Sequence, residues 1–254
     1  MDMKLISKDD EGTVRFLVKD TTPAFLNTYR RTIINKLPAM AIEEIEIIEN
    51  SSAIYDEMLA HRLGLLVLKT DSQSYFEKEN CKCKNAGCAR CTLNLTIDVK
   101  GPCHVLGEHV QSKDPSVVPV HPKAVIAKLL EGQNIKLVAT AILGTGKNHI
   151  KFSPGLMFYQ KYPTLNTKNS KKADTIIQSC PICKPKGKVL AHDLCEACLD
   201  QLENADLIQT NDKDYLVTIE PWGQLSAKEM VEGIAEVLDK QISELTKEIK
   251  KKIK

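Results

Sequence analysis

No stretch of the chain reaches the roughly 20 consecutive apolar residues that a membrane-spanning helix needs. The first ten residues, Met1 to Asp10, are charged and lack the apolar core of a secretion signal. The expectation is a cytoplasmic protein that does not touch a membrane. An excess of one charge is missing as well. Lysine and arginine number 35 against 33 acidic residues, a formal net charge of +2, too small for a chain that would hold duplex DNA or RNA unaided. Any contact with nucleic acid is therefore expected to be indirect. Catalytic signatures are also absent: there is no nucleophile elbow, dinucleotide fingerprint or catalytic carboxylate constellation. Gly144-Thr145-Gly146-Lys147-Asn148 imitates a phosphate loop, but Walker A wants glycine near Ala141 and Ser or Thr where Asn148 stands. That segment reads as a hairpin turn. His104, His109 and His121 have no recognisable partner motif and read as surface histidines.

The 254 residues, 43% apolar and 27% charged, suffice for two or three small domains. Residues 13–19 alternate Val14, Phe16 and Val18 with polar neighbours, Leu17 excepted, and predict a half-buried strand. Thr22-Pro23 then opens a helix, because threonine can cap exposed amides and proline lacks an N–H only where none is needed. Phe25, Leu26, Tyr29, Ile33 and Leu37 mark one face, and Pro38 ends it. Ile45 and Ile47 between glutamates predict a strand, and Asp56 to Leu63 a short helix. Leu93, Leu95, Ile97 and Val99 predict another strand, as do Ile135, Leu137, Ala139 and Ala141.

Residues 164–172 are a polar linker, and a strand is expected from Tyr215 to Ile219. Ser226 with Glu229 is a capping box that starts a long terminal helix. On it, Val231, Ala235, Leu238, Ile242, Leu245 and Ile249 step by four, three, four, three and four, the spacing of a seam for another helix. Packing onto the chain's own sheet would use the same periodicity.

Nine cysteines are many for a reducing compartment, where clusters serve as metal ligands more often than as disulfides. Cys81, Cys83, Cys88 and Cys91 bring four thiolates into eleven residues, with Gly87 free to turn; they suit a closed, structural zinc site. Cys180, Cys183, Cys195 and Cys198 form two C-x2-C pairs, which by spacing suit a zinc ribbon-like site. Cys103, standing apart, reads as a small apolar residue.

The stretch Phe25 to Lys69, FLNTYRRTIINKLPAMAIEEIEIIENSSAIYDEMLAHRLGLLVLK, resembles the signature of the RNA polymerase alpha family, shared by bacterial alpha, the eukaryotic third-subunit type and the archaeal D type. Asn27, Arg30, Arg31, Pro38, Ala41-Ile42, Asn50 with Ser51 or Ser52, Asp56-Glu57 and Ala60 to Leu65 carry the likeness. Weaker echoes follow at His149 to Pro154 and Thr218 to Leu225. The resemblance implies an α+β chain with a discontinuous alpha-type dimerisation domain (1–44 and 209–254). Into this are set an inserted β-rich domain with the zinc loop (45–163) and a small ferredoxin-like, cysteine-rich module (164–208).

It further implies a non-catalytic assembly subunit of DNA-dependent RNA polymerase, paired with a small alpha-like partner of the L type. Small zinc-binding subunits of the N and P types and the large catalytic subunits would then join. Phe25, Tyr29, Arg30, Arg31 and Ile33, with the terminal seam, become the partner interface, the two guanidinium groups suiting carboxylates of a large subunit. It also brings a 4Fe-4S cluster into consideration at the second cysteine group. A ferredoxin run wants a third cysteine where Lys186 or Gln201 stands, so zinc, no metal and a cluster all stay open there. Two other classes compete: an iron–sulfur redox or redox-sensing protein, and a free-standing zinc module that binds nucleic acid.

Overall fold

The computed structural model describes residues 1–165, 170–180 and 194–253. In chain order come strands β1 (Asp2–Lys8) and β2 (Val14–Lys19), helix α1 (Pro23–Lys36), strand β3 (Pro38–Asn50) and helix α2 (Asp56–Gly64). Strands β4 (Thr92–Lys100), β5 (Cys103–Leu106), β6 (Gln111–Ser112), β7 (Val125–Leu129), β8 (Asn134–Thr145) and β9 (Gly155–Leu165) follow. Helices α3 (Ser170–Ser179) and α4 (Glu196–Asn204), strand β10 (Ile208–Pro221) and helix α5 (Ala227–Lys252) complete an α+β fold, the class expected. The chain packs as two compact units of two segments each: Met1–Thr28 with Met157–Ile219, and Tyr29–Leu156 with Glu220–Lys254.

The first unit holds a sheet in the order β1-β2-β10-β9. Tyr215 to Ile219 of β10 are all buried, as befits a strand interior to its sheet and covered on both faces. Thr22 caps α1 as its sequence suggests, its hydroxyl accepting from the Phe25 amide at 3.3 Å. Helices α3 and α4 share a separate small core of Ala173, Ile177, Leu194, Cys198, Leu202 and Leu207.

The second unit is built on a sheet in the order β3-β8-β4-β6, with β5 and β7 paired beside it. Along β4, Leu93, Leu95, Ile97 and Val99 are buried and their neighbours exposed or half-buried. This is the period-two pattern of a sheet with one face on the core. Strand β3 is longer than its Ile45/Ile47 alternation predicts, because Ala39 to Ile42 are buried without a break and carry no alternation to read. Leu59 and Leu63 of α2 are fully buried in the same core as Leu95, Ile135 and Leu137.

The segment after Gly144 is a turn but not a hairpin. Strand β8 is flanked on both edges by β3 and β4, so it has no free edge for a returning strand, and β9 joins the other sheet. The turn is held instead against the end of α1: the Lys147 amide donates to the Asn35 carbonyl at 3.1 Å. A Cβ at Gly146 would collide with the Ile34 carbonyl, so only glycine fits there.

Candidate metal centres and partner surfaces

The first cysteine group lies on the loop that enters β4. Chain reversal there uses left-handed backbone at Lys84 (φ 53°), Asn85 (φ 68°) and Gly87 (φ 78°). Amides of Lys84, Ala86 and Cys91 donate to the carbonyls of Cys81, Cys83 and Cys88 at 3.1, 3.2 and 2.9 Å. These turns fold the four sulfurs inward. Cys81 Sγ and Cys88 Sγ are 3.6 Å apart, Cys83 Sγ and Cys91 Sγ 3.6 Å, and Cys88 Sγ and Cys91 Sγ 3.8 Å. Four sulfurs around one tetrahedral ion, with bonds of about 2.3 Å, stand about 3.8 Å from each other. The residues therefore fit a single metal ion, and all four sulfurs fall within one 4.8 Å group.

The electrostatics suit the same use. A hydrogen bond from the Cys81 thiol, helped by the Gly87 amide, brings the Cys83 thiol down to about 7, while burial pushes Cys91 up to about 12. The lowered thiol favours the thiolate form that a cation binds, and a cation must displace the proton of the buried one. Within the second unit one hydrogen bond closes the loop's base and two side chains tie it to neighbouring segments. Tyr75 Oη donates to Asp114 Oδ2 at 2.7 Å, the Phe76 amide to the Arg90 carbonyl at 2.9 Å, and Lys78 pairs with Glu44 at 3.3 Å. The hydroxyl of Ser116, then that of Tyr75, holds the Asp114 carboxyl below the usual carboxylate range.

In the second group, Cys180, Cys195 and Cys198 converge within 4.8 Å, and Cys183 lies outside the described residues. Cys103 is half-buried beside the Lys100 carbonyl, 3.5 Å from its thiol. Of the three histidines, His104 and His121 are exposed, and His109 Nδ1 accepts from the Leu106 amide at 2.9 Å.

Helix α5 starts with the expected capping box: the Ser226 amide donates to Glu229 Oε2 at 2.7 Å and the Glu229 amide to Ser226 Oγ at 3.3 Å. Its inner face is set by Ala227, Met230 and Ile234, residues outside the six-residue seam. Of the seam, Val231 and Leu238 are half-buried and Ala235 is exposed. Ile242, Leu245 and Ile249 are 63%, 58% and 47% exposed. On α1, Phe25 and Arg31 are exposed, Tyr29 and Arg30 half-buried, and Ile33 fully buried. Lys36 Nζ donates to Gln241 Oε1 at 2.8 Å, tying the end of α1 to α5.

Much of the signature stretch is spent on the chain itself. Asn50 Nδ2 donates to the Ile54 carbonyl and to Asp56 Oδ1, while its Oδ1 accepts from Ser52. Ser51 Oγ bonds Asn134, and Arg62 donates to the Ile126 and Val125 carbonyls at 2.7 and 2.8 Å. The two downstream echoes meet: the Trp222 amide donates to the Pro154 carbonyl at 3.0 Å and Gln224 Nε2 to the Ser153 carbonyl at 3.1 Å. Sequence reasoning missed one surface. Tyr55, Met58 and Leu65, before, on and just past α2, are all exposed, and their spacing of three and seven puts them near one helical face.

A family model described as the RNA polymerase Rpb3/RpoA insert domain matches residues 44–157. DNA-directed RNA polymerase subunit Rpo3 of Archaeoglobus fulgidus is 30% identical over 252 residues, covering 95% of this chain and 96% of that protein. The Rpo3 of Pyrococcus furiosus is 30% identical over 257 residues (95% and 96%), and that of Methanosarcina acetivorans 28% over 258 (96% and 97%). Among the described residues no helix is long and apolar enough to cross a membrane. With that identity sustained along almost the full length of both chains, this chain belongs to the Rpo3 family of DNA-directed RNA polymerase subunits.

Proposed function

We propose that the chain is a non-catalytic assembly subunit of a cytoplasmic DNA-dependent RNA polymerase, and that it works by pairing with a small alpha-like subunit of the L type. The observation that carries this reading is the exposure of Ile242, Leu245 and Ile249 along one stripe of α5. Large aliphatic residues at helical spacing in water are what an absent helix would cover. Burying each contributes roughly 1.5–3 kcal/mol, enough for three of them to hold a partner helix after its ordering cost. The heterodimer would be the platform for the large catalytic subunits, with small zinc-binding subunits of the N and P types alongside. Arg30 and Arg31 on α1, and the exposed Tyr55, Met58 and Leu65, are the groups assigned to that docking.

Zinc is the metal assigned to Cys81, Cys83, Cys88 and Cys91. Four thiolates in a closed tetrahedron leave no position for water, so the ion's role is structural: it pins the loop to the start of β4.

Co-expression with the small partner tests the proposal. A stoichiometric heterodimer on size exclusion is expected, together with self-association of the chain when produced alone. A monodisperse monomer that takes up neither the small partner nor a large subunit would overturn it.

A further inference from the structure

The second cysteine group does not have the dimensions of an iron–sulfur cubane. In a cubane each cysteine binds a different iron at a different corner, so its thiolates are held farther apart than thiolates sharing one ion. Here Cys180 Sγ and Cys195 Sγ are 3.6 Å apart, the separation found twice in the first group. All three described sulfurs lie within 4.8 Å of one another, close to the roughly 3.8 Å edge of a tetrahedron around one ion.

The local fold accounts for this closeness. Cys195 is the N-cap residue of α4, and the amides of Cys198 and Leu199 both donate to its carbonyl at 3.0 Å. One tight turn therefore places Cys195 and Cys198 together at a helix N-terminus, where backbone dipoles favour thiolate. Cys180 comes off the end of α3, its amide donating to the Ile177 carbonyl at 3.3 Å. Cys198 is 2% exposed and sits in one core with Ala173, Ile177 and Leu202, so aliphatic side chains occupy space beside the sulfurs. The sequence agrees: Lys186 and Gln201 stand where a ferredoxin run would place its next cysteine.

We infer that Cys180, Cys195 and Cys198 hold a single tetrahedral zinc ion and not an iron–sulfur cluster, so that this module is a structural zinc fold without redox chemistry. These three sulfurs form one face of the tetrahedron, and Cys183 lies outside the described residues. The full chain is purified without air, alone and with its small partner, and is assayed after incubation with ferrous iron and sulfide. Metal analysis is expected to find two equivalents of zinc per chain, no stoichiometric iron and no broad visible absorbance. Iron and sulfide in cluster stoichiometry, or one equivalent of zinc alone, would each overturn the inference.

Cys198→Ser and Cys81→Ser should each remove one zinc and leave the other. Should either variant fail to fold, X-ray absorption at the zinc edge of the unaltered chain decides: sulfur-dominated coordination of both ions is expected, and a shell made mainly of oxygen or nitrogen around half of them contradicts it. Metal content does not depend on partner capture, so failure here leaves the assembly proposal standing, and the reverse.

Discussion

The two halves of α5 carry large aliphatic residues on neighbouring stripes of the helix and meet opposite fates. In the first half Met230 and Ile234 are 0% exposed, and Gly233 brings the helix so close to Leu37 that a Cβ there would stand 3.0 Å from its Cδ2. In the second half Ile242, Leu245 and Ile249 are as apolar and are open to water. The difference teaches that large aliphatic residues on one helix can be core at one end and open to water at the other.

The sharpest way to break this comparison is to charge the open half. Ile242→Asp with Leu245→Asp is expected to remove about 3–6 kcal/mol of partner affinity, on the scale of two buried aliphatics, or roughly a hundredfold to ten-thousandfold. Titration of the partner by calorimetry reads the loss, and an unaltered affinity would mean that this stripe is not the seam. Ile234→Ala attacks the closed half. It should cost about 2–5 kcal/mol of folding stability by leaving a cavity, measured as a lower urea midpoint of the chain with or without partner. The same truncation at Ile249 should change the stability of the lone chain by less than about 0.5 kcal/mol.

A smaller effect separates the helix start from both halves. Ser226→Ala removes one side of the capping box and should cost about 1 kcal/mol. Hydrogen bonds from the Ser226 hydroxyl and amide hold the Glu229 carboxyl below its ordinary range. Its contribution is therefore complete above the unfolded value, and is lost as pH falls toward the folded one. Urea midpoints taken from neutral to acid pH should show this loss, and Glu229→Gln should flatten it. The smallest expected effect is at Lys228, whose pairing with Glu232 at 3.7 Å is largely exposed. Lys228→Ala should change stability by no more than a few tenths of a kcal/mol.

The legible parts of the fold are those whose burial is one-sided. Strand β4 shows in its alternation, α1 in Thr22-Pro23 and Pro38, and the start of α5 in Ser226 and Glu229, because each is a local pattern with a local cause. Strand β1 is not legible: Met3 and Leu5 alternate with Asp2 and Lys4 but remain exposed at the sheet's edge, and only pairing with β2 makes them a strand. Ala39 to Ile42 hid in the same way behind uninterrupted burial. The mistaken hairpin after Gly144 has a related cause. A turn is a local event, whereas a hairpin needs a free strand edge, which β8 does not have.

At the sites, cysteine spacing alone marked eight ligand candidates, since only short spacing lets a loop wrap an ion. It could not give the sulfur separations on which the choice between one ion and a cluster turns. The signature stretch was readable as a family mark but not as chemistry, because residues such as Asn50 and Arg62 satisfy the chain's own backbone. Tyr55, Met58 and Leu65 share a helical stripe in the sequence as well, but nothing local marks such a stripe as exposed and not buried.

What the sequence determined by itself is therefore periodic and local: where helices and strands begin, which residues share a face, and which thiols can reach a common point. The tertiary structure alone decided which stripe is covered, placing Ile234 in the core and leaving Ile242 to water. The physical reason is that periodicity fixes direction around an element, while burial depends on what other segments of chain, far away in sequence, bring against it.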